Sequence, residues 1–460
     1  MGQMMSNDGV PKDYDDRDDV TKHREKKKKK KKKEFEFGKY RTRKIAIEIA
    51  YCGAEHFGFS SQGAEEHRSN VRTIEGALFE ALKKCRLVDP MREIFGEDSV
   101  EYSRCGRTDR GVSSLGNIVS LRVRSALNDE EDFCDYEKEI DYVGVLNRQL
   151  PDDVRALAWY PVNDGFSSRF DCTTRTYEYY FTIVGGDGLE TRTKDVFDME
   201  AMEIACKKLR GSHDFRNFCK MNVKDCHDYK RDIKRCRISR IDDDNDNDNK
   251  NNKNSEEKID FKLTIEGSSF LWHMVRCIAA VLFQVGLGAD APNIIDDLLD
   301  LEKTPRKPLY SMAPEHPLVL VKCSYDESIL GEHNRKISDE ALEGLEMHAW
   351  AAERAHQLKA NLWRDIKKRI NTYSNEKKKK AKKKLSLPSC TETEQQEKKA
   401  TSLKRNRQLT RALMSSTYYG TAAGEPKGEP VSLLLRTTER TYLERLADLN
   451  VRQERKKQRN

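Results

Sequence analysis

Three segments of this 460-residue chain have a large apolar side chain at every second position, and this pattern constrains the fold more than any other feature. The segments are residues 45–51, 177–183 and 259–265. Because successive side chains of a strand point to opposite faces, the alternation predicts strands with one buried and one exposed face. Such strands form antiparallel or mixed sheets covered by helices on one face. We therefore expect an α+β fold rather than a doubly wound parallel sheet.

Helical segments lie between the predicted strands. Thr73 is expected to cap a helix whose apolar residues within 74–85 share one face. Residues 199–209 predict another helix. The long apolar run 270–287 is interrupted by Arg276 and has no further spans to pack with, so it predicts a buried core helix and not a membrane anchor.

Composition divides the chain into regions, and two of its segments cannot contribute to a core. These are an acidic, Asn-rich insert at 242–257 and a Lys-rich linker at 376–404. Ser338 is expected to cap a long helix with the apolar stripe Leu342, Leu345, Ala349, Ala352, Leu358, Leu362 and Ile366. The predicted regions are a disordered polybasic tail at 1–40, an N-terminal half at 41–160, a C-terminal half at 161–330 and a basic helical extension at 331–460.

Positive charge is concentrated at the two ends of the chain. Residues 1–44 hold 16 Lys and Arg against 9 Asp and Glu, and residues 331–460 hold 30 against 17. The whole chain carries a net charge of +7, so the region between the ends is acidic. This asymmetry favours an anionic partner such as nucleic acid over a small acidic substrate. Solvated tails without a partner are the alternative for each lysine run.

The cysteines and the amino terminus indicate a reducing compartment. Twelve cysteines lie at irregular spacings with no C-x-x-C pair, which disfavours both a disulfide framework and a Cys-pair zinc site. The first residues are too polar for a secretory signal. Residues 1–6 match a short myristoylation pattern, but the lysine run 26–33 fits nuclear import or RNA contact better than a membrane signal. We expect a protein of the nucleus, the cytoplasm or both.

Segment 103–113 has the highest density of chemically active side chains. It surrounds one carboxylate, Asp109, with Arg104, Arg107 and Arg110. A structural loop can use such an aspartate as a turn or capping group. Alternatively, the three guanidinium groups keep the carboxylate ionised and offer sites for phosphate oxygens. That arrangement suits nucleophilic attack on a bound polynucleotide.

Residues 104–113 resemble the catalytic loop of the TruA-type tRNA pseudouridine synthases, whose pattern is R-x-G-R-T-D-x-G-V. The resemblance extends over residues 43–325, and the eukaryotic branch that acts on nucleotides 38 and 39 of the tRNA anticodon stem is the most similar. Cys52 departs from the family pattern, which has an aspartate there. The matching pieces keep the order and spacing of the family and include T-I-E-G at 73–76, G-S-H-D-F at 211–215 and F-L-W-H-M-V-R at 270–276.

The resemblance implies a tRNA pseudouridine synthase, an isomerase that converts uridine to pseudouridine in the anticodon stem-loop. It also implies two ferredoxin-like halves, with mixed or antiparallel sheets, that flank a basic RNA-binding cleft. No metal and no cofactor are expected, because the uracil is released from C1′ and rejoined to it within one active site. The partner is tRNA, with no membrane partner. A homodimer in which each tRNA touches both subunits is carried over from the family as an expectation.

Individual side chains acquire roles from the same resemblance. Asp109 is the expected nucleophile, attacking either the uracil ring or the ribose C1′. Arg276 is expected to pair with it, since a partly buried guanidinium requires a carboxylate; the alternative is that Arg276 reaches the surface. Tyr177 is expected to stack on the displaced base and assist proton transfer at C5, or else simply to pack in the core. His273 is interpreted as structural. Substrate binding is assigned to Arg104, Arg107, Arg110 and Arg175.

Two other functions stay open at this point. The chain would be a catalytically inactive tRNA-binding or chaperone protein if it kept the fold without turnover. It would be a different tRNA-modifying enzyme if Cys105, which lies in the same loop, were a covalent nucleophile. No His or Asn partner pattern accompanies that cysteine, which disfavours the second alternative.

Overall fold

The computed structural model describes residues 35–61, 71–91, 99–128, 130–132, 134–184, 197–241, 258–384 and 432–457. The chain divides into two units, Met1–Tyr40 and Arg41–Asn460. In the first unit, the described residues form a short 3-10 turn at Phe37–Lys39. The predicted insert at 242–257 lies outside the described residues, as do most of the predicted tail and part of the predicted linker.

Nine strands form one mixed sheet in the described part of the second unit. The order across the sheet is β4-β1-β3-β9-β5-β8-β7-β6, and β2 pairs with β3 outside this path. All neighbours are antiparallel except β3 and β9, which are parallel. The mixed sheet with its helices confirms the predicted α+β class. The strands are β1 Thr42–Tyr51, β2 Ser103–Arg104, β3 Ser113–Arg124, β4 Val154–Pro161, β5 Thr174–Val184, β6 Gly211–Asp214, β7 Lys230–Arg240, β8 Lys258–Gly267 and β9 Leu318–Ser324.

Strand β9 joins the strands of the two predicted halves. It comes after all other strands in the chain, yet it lies between β3 and β5. Leu320 is opposite Ser114 on one side and opposite Tyr177 on the other. The strands of both halves therefore form one continuous sheet, and the start of β3 lies level with Tyr177 in the first half of β5, with β9 between them.

Helices cover the sheet and bury two large apolar clusters. Thr73 caps α1 as expected, because its Oγ1 accepts a hydrogen bond from the backbone N–H of Gly76 at 3.1 Å. Leu78 of α1 is buried with Ile47 in one cluster, and Phe283 of α4 is buried with Phe181 in the other. The helices are α1 Ile74–Lys84, α2 Tyr142–Asn147, α3 Met199–Lys208, α4 Met274–Gly286, α5 Ile294–Leu299, α6 Glu327–Leu330, α7 Asp339–Lys384 and α8 Tyr442–Lys457.

The start of α4 differs from the prediction, which extended this helix from Phe270. The helix begins at Met274, because His273 has a left-handed backbone with φ of +60° and cannot continue a right-handed helix toward the amino terminus. The residues before it instead form a turn after β8. This turn places Phe270 against Tyr177, with ring centroids 5.1 Å apart.

The carboxyl-terminal extension is packed onto the fold at two places. Ser338 caps α7 as predicted, with its Oγ accepting from the N–H of Ala341 at 3.1 Å. Ala341 is buried in the cluster with Leu78, whereas Leu433 is buried in the cluster with Phe283. Helix α7 continues to Lys384 and so includes the first residues of the segment that the sequence predicted as a linker.

The apolar stripe of α7 is mostly exposed beyond its first turns. Leu342, Leu358 and Leu362 are each exposed to solvent by about half, so the predicted stripe does not pack against the described residues over its full length. None of the described helices is both long and apolar enough to cross a membrane.

Candidate active site

The loop that carries Asp109 connects β2 to β3 and is braced from both sides. The fully buried Asn117 holds Gly106 through both of its amide atoms: its Nδ2 donates to the carbonyl of Gly106 at 3.0 Å, and its Oδ1 accepts from the N–H of Gly106 at 3.1 Å. The Tyr51 hydroxyl lies 2.9 Å from Oγ1 of Thr108, the residue before Asp109. These contacts fix the loop backbone on the amino-terminal side of the carboxylate.

Glycines allow a second loop to lie directly against the Asp109 loop. A Cβ on Gly53 would lie 2.0 Å from the carbonyl oxygen of Val112, which no side chain could tolerate. Gly58 has φ of +100°, and a Cβ there would lie 3.1 Å from the carbonyl oxygen of Thr108. The N–H of Phe59 donates to that same oxygen at 3.0 Å. The loop after β1 therefore forms one wall beside Asp109.

The sheet register brings the other candidate side chains to the same place. Ser114, at the start of β3, is opposite Leu320, which is opposite Tyr177 of β5. Tyr177 is in turn opposite Ile265, close to the end of β8. The turn after β8 leads to His273. One row across four strands thus gathers segments that are more than 150 residues apart in the chain.

His273 is the basic residue that faces the Asp109 carboxylate. Its Nε2 lies 3.4 Å from Oδ1 of Asp109, and the two side chains are 12% and 24% exposed. The other ring nitrogen, Nδ1, is buried and has no hydrogen-bond partner among the described residues. The left-handed backbone of His273 directs the ring away from the helix that follows. Sequence reasoning interpreted this residue as structural and missed the contact.

Arg276 was expected to pair with Asp109, and its contacts in the structure contradict that pairing. Its Nη2 donates to Oε2 of Glu315 at 2.8 Å, and its Nε donates to the carbonyl of Ala313 at 2.8 Å. The reasoning that a shielded guanidinium needs a carboxylate was sound, but the carboxylate comes from the segment before β9. The side chain of Glu315 also lies against Gly111, so the ion pair contacts the Asp109 loop.

The three arginines of the loop do not converge on Asp109, contrary to expectation. Arg104 forms an ion pair with Glu75, a fully buried carboxylate that requires a cation. Arg110 places its guanidinium 4.3 Å from the ring centroid of Phe57. Arg107 is exposed to solvent. Arg107 and Arg110 are therefore accessible to a polyanion, whereas Arg104 is largely committed to the fold.

Arg175 is buried beneath the loop. It is 9% exposed, and its guanidinium donates to the carbonyls of Ser268 at 2.7 Å and Arg169 at 2.9 Å. It also reaches the carbonyl of Cys105 at 3.5 Å. These bonds tie together three loops around Asp109. They indicate a supporting role in this structure, and the predicted direct contact with substrate stays a prediction.

Tyr177 lies in the interior of the site and is half-buried. Burial raises the pKa of its hydroxyl well above the ordinary value of 10, and the charges of nearby groups, Asp109 among them, raise it further. The hydroxyl is therefore neutral at physiological pH. Its edge-to-face contact with Phe270 fixes the ring orientation.

Cys105 is buried next to two other cysteines. It is 7% exposed and belongs to an apolar cluster with Cys172 and Cys323. Its carbonyl accepts from Arg175, and its N–H donates to the carbonyl of Ile118 at 2.8 Å. Cys105 therefore anchors the start of the loop to β3. This burial disfavours the alternative in which Cys105 attacks a substrate.

Comparison with known proteins identifies the family of the chain. A family model for tRNA pseudouridine synthase matches residues 205–326. The tRNA pseudouridine(38/39) synthase of Bos taurus is 40% identical over 315 residues, which cover 66% of this chain and 60% of that protein. The protein of the same name from Saccharomyces cerevisiae is 36% identical over 351 residues, covering 74% of this chain and 70% of the yeast protein. The chain belongs to the TruA-type tRNA pseudouridine synthase family.

Bacterial members of the family match as well. The tRNA pseudouridine synthase A of Thermosipho africanus is 33% identical over 294 residues, which are 61% of this chain and 98% of that protein. The chain spans about 60% of the length of the bovine relative. The stretch matched by the family model contains His273, Arg276 and Glu315, whereas Asp109 and Tyr177 precede it.

Proposed function

We propose that this chain is a tRNA pseudouridine synthase that isomerises uridines 38 and 39 of the tRNA anticodon stem-loop. The observation that carries the proposal is a single carboxylate, Asp109, on a braced loop that is neither open to bulk solvent nor packed out of reach. Its side chain is 24% exposed. The named activities of the bovine and yeast relatives support the choice of substrate.

The reaction needs a base that has left its stack, which costs a few kcal/mol. Asp109 attacks either C1′ of the ribose or the uracil ring, and the N1–C1′ bond breaks. The uracil turns and its C5 bonds to C1′, and the bond that Asp109 formed to C1′ or to the ring breaks, which restores the free carboxylate. C5 then loses its proton, and N1 is left protonated. Tyr177 stacks on the displaced base and assists removal of the C5 proton. Arg107 holds the everted nucleotide, and Arg110 contacts phosphate.

The surroundings of the site support a basic cleft between two ferredoxin-like halves. Arg107, Arg110 and Arg169 are exposed to solvent, and all three are accessible to phosphates. We extend the proposal to a homodimer in which each tRNA touches both subunits, and to a location in the nucleus, the cytoplasm or both. Neither a metal nor a cofactor takes part in the proposed reaction.

A single-turnover assay on unmodified tRNA tests the activity. We expect the parent to form pseudouridine at positions 38 and 39, and Asp109→Asn to form none while it binds tRNA with an affinity within about threefold of the parent. The matched control is Asp152→Asn, since the Asp152 side chain is 99% exposed, and it should react at the parent rate.

The alternative of an inactive tRNA-binding protein makes the opposite prediction. It requires that the parent bind unmodified tRNA tightly and yield no pseudouridine under single-turnover conditions. Product formation by Asp109→Asn would equally remove Asp109 from the mechanism.

A further inference from the structure

Three large aromatic rings are exposed around the candidate site. Phe57 is 45% exposed, Phe170 is 78% exposed and Trp272 is 46% exposed. Scattered exposed aromatic residues are common on protein surfaces. These three differ because they lie on three loops that meet at the Asp109 loop. We name this set the aromatic rim.

Two members of the aromatic rim are linked directly to the Asp109 loop. Phe57 precedes Gly58, which packs against the backbone of Thr108 and Arg110. Trp272 precedes His273, whose ring lies 4.7 Å from the indole and whose Nε2 faces Asp109.

The third member is connected through the buried Arg175. The carbonyl of Arg169, the residue before Phe170, accepts from Arg175, which also donates toward the carbonyl of Cys105 in the Asp109 loop. Phe170 therefore follows a residue that is tied, through Arg175, to the Asp109 loop.

A cationic side chain lies close to each ring of the aromatic rim. Arg110 lies 4.3 Å from the centroid of Phe57, Arg169 lies 5.2 Å from that of Phe170, and Lys220 lies 4.4 Å from that of Trp272. Single-stranded nucleic acid is bound by this combination of an aromatic surface for a base and a cation for the adjoining phosphate. A protein partner would not require the repeated pairing of ring and cation.

We propose that the aromatic rim stacks the unpaired bases next to the target uridine, while the paired cations contact their phosphates. This inference rests on the proposed function and deepens it. Nucleotides 38 and 39 lie where the anticodon stem meets its loop, so eversion of one uridine disrupts the stacking of its neighbours. Three stacking surfaces around the pocket offset that loss and favour substrates with an adjacent unpaired strand.

The experiment uses an anticodon stem-loop RNA with the fluorescent base 2-aminopurine placed in the loop next to the target uridine. Stacking on an aromatic ring quenches the fluorescence. We expect quenching on binding to the parent, a clear loss of quenching with Trp272→Ala or Phe170→Ala, and a Kd raised about tenfold. Trp272→Phe should keep most of both effects, because it retains a ring.

The matched control is Trp350→Ala, which removes an indole that is 64% exposed on α7, far along the chain from the loop. It should keep the quenching of the parent. Parent-like quenching and affinity in both Trp272→Ala and Phe170→Ala would overturn the inference.

The result can be separated from the fate of the proposed activity. If the parent makes pseudouridine while the rim variants bind RNA and quench normally, the stacking proposal is refuted and the proposed activity is supported. If the parent makes no pseudouridine but quenching depends on the aromatic rim, the proposed activity is refuted and the stacking proposal is supported. Lys220→Gln should leave quenching intact and lower the salt dependence of binding, and an unchanged salt dependence would count against the phosphate contact.

Discussion

The imidazole of His273 faces the carboxylate of Asp109, with 3.4 Å between Nε2 and Oδ1, although helix geometry alone would have turned it elsewhere. The left-handed φ of His273 makes this possible. Such a backbone costs a non-glycine residue about 1 kcal/mol or more, so the surrounding packing must stabilise it. The contact places an imidazole beside the Asp109 carboxylate, which a regular helix from Phe270 would not do.

Replacing His273 tests whether this contact orients the nucleophile. We expect His273→Asn, which tolerates a left-handed backbone, to slow single-turnover pseudouridine formation about tenfold, because the imidazole that lies against Asp109 is lost. The tRNA Kd should stay close to that of the parent. A variant that loses affinity but keeps its rate would assign His273 to binding instead.

The Arg276–Glu315 pair is expected to contribute to folding stability. The side chains are 11% and 17% exposed, so removing one charge leaves the other shielded from water. We expect Glu315→Gln to lower the free energy of unfolding by about 2–3 kcal/mol, somewhat less than for a fully buried pair. Urea denaturation measures the change. Glu80→Gln, which breaks an exposed pair with Lys84, should change stability by no more than about 0.5 kcal/mol.

Gly58 is expected to be intolerant of a side chain for two reasons. Its φ is +100°, and a Cβ would press on the backbone of Thr108 and Asp109. Gly288 has φ of +73° but no atom near its Cβ position, so Gly288→Ala isolates the backbone cost of about 1 kcal/mol. We expect Gly58→Ala to lose about 2–4 kcal/mol and to react more slowly, because the Asp109 loop must shift. Equal losses in the two variants would argue against tight packing between the two loops.

The stability of the protein should fall in mild acid partly because of His56. This ring is fully buried, and burial lowers its pKa below the ordinary 6.5 despite the Asp153 carboxylate 2.9 Å away. A histidine whose folded pKa is depressed stabilises the fold fully above its unfolded pKa and loses that contribution as the pH falls below about 6.5. We expect His56→Gln to show a shallower decline in unfolding free energy between pH 8 and pH 5.5, roughly the range around that pKa.

A control separates this effect from general acid sensitivity. His333 is exposed, and His333→Gln should decline as steeply as the parent. A parent curve with no decline through this range would refute the role of His56.

Helix α7 is expected to contribute to tRNA binding through its exposed basic residues. Deleting the whole extension would be a poor test, because Ala341 and Leu433 are core residues. We instead expect the double variant Lys368→Gln with Arg369→Gln to weaken tRNA binding. The slope of log Kd against log salt should fall by roughly 0.9 for each phosphate that the variant no longer neutralises. An unchanged slope would show that this part of α7 is merely solvated.

Local features of the fold could be predicted from the sequence because they depend on neighbouring residues. The alternation at 45–51, 177–183 and 259–265 predicted strands that the structure contains. Thr73 and Ser338 were predicted as caps and act as caps. Asp109 was selected from its surrounding arginines and glycines, and the structure places it on a loop whose Gly106 is held by Asn117.

Pairings between distant segments were decided only by the tertiary structure. The insertion of β9 between β3 and β5 sets the register that brings Glu315 to Arg276. The burial of Glu75 draws Arg104 away from Asp109, and the left-handed turn at His273 supplies the contact that Arg276 was expected to make. Periodicity and capping act within a few residues, whereas a buried charge takes its partner from whichever strand or loop the packed sheet brings within reach.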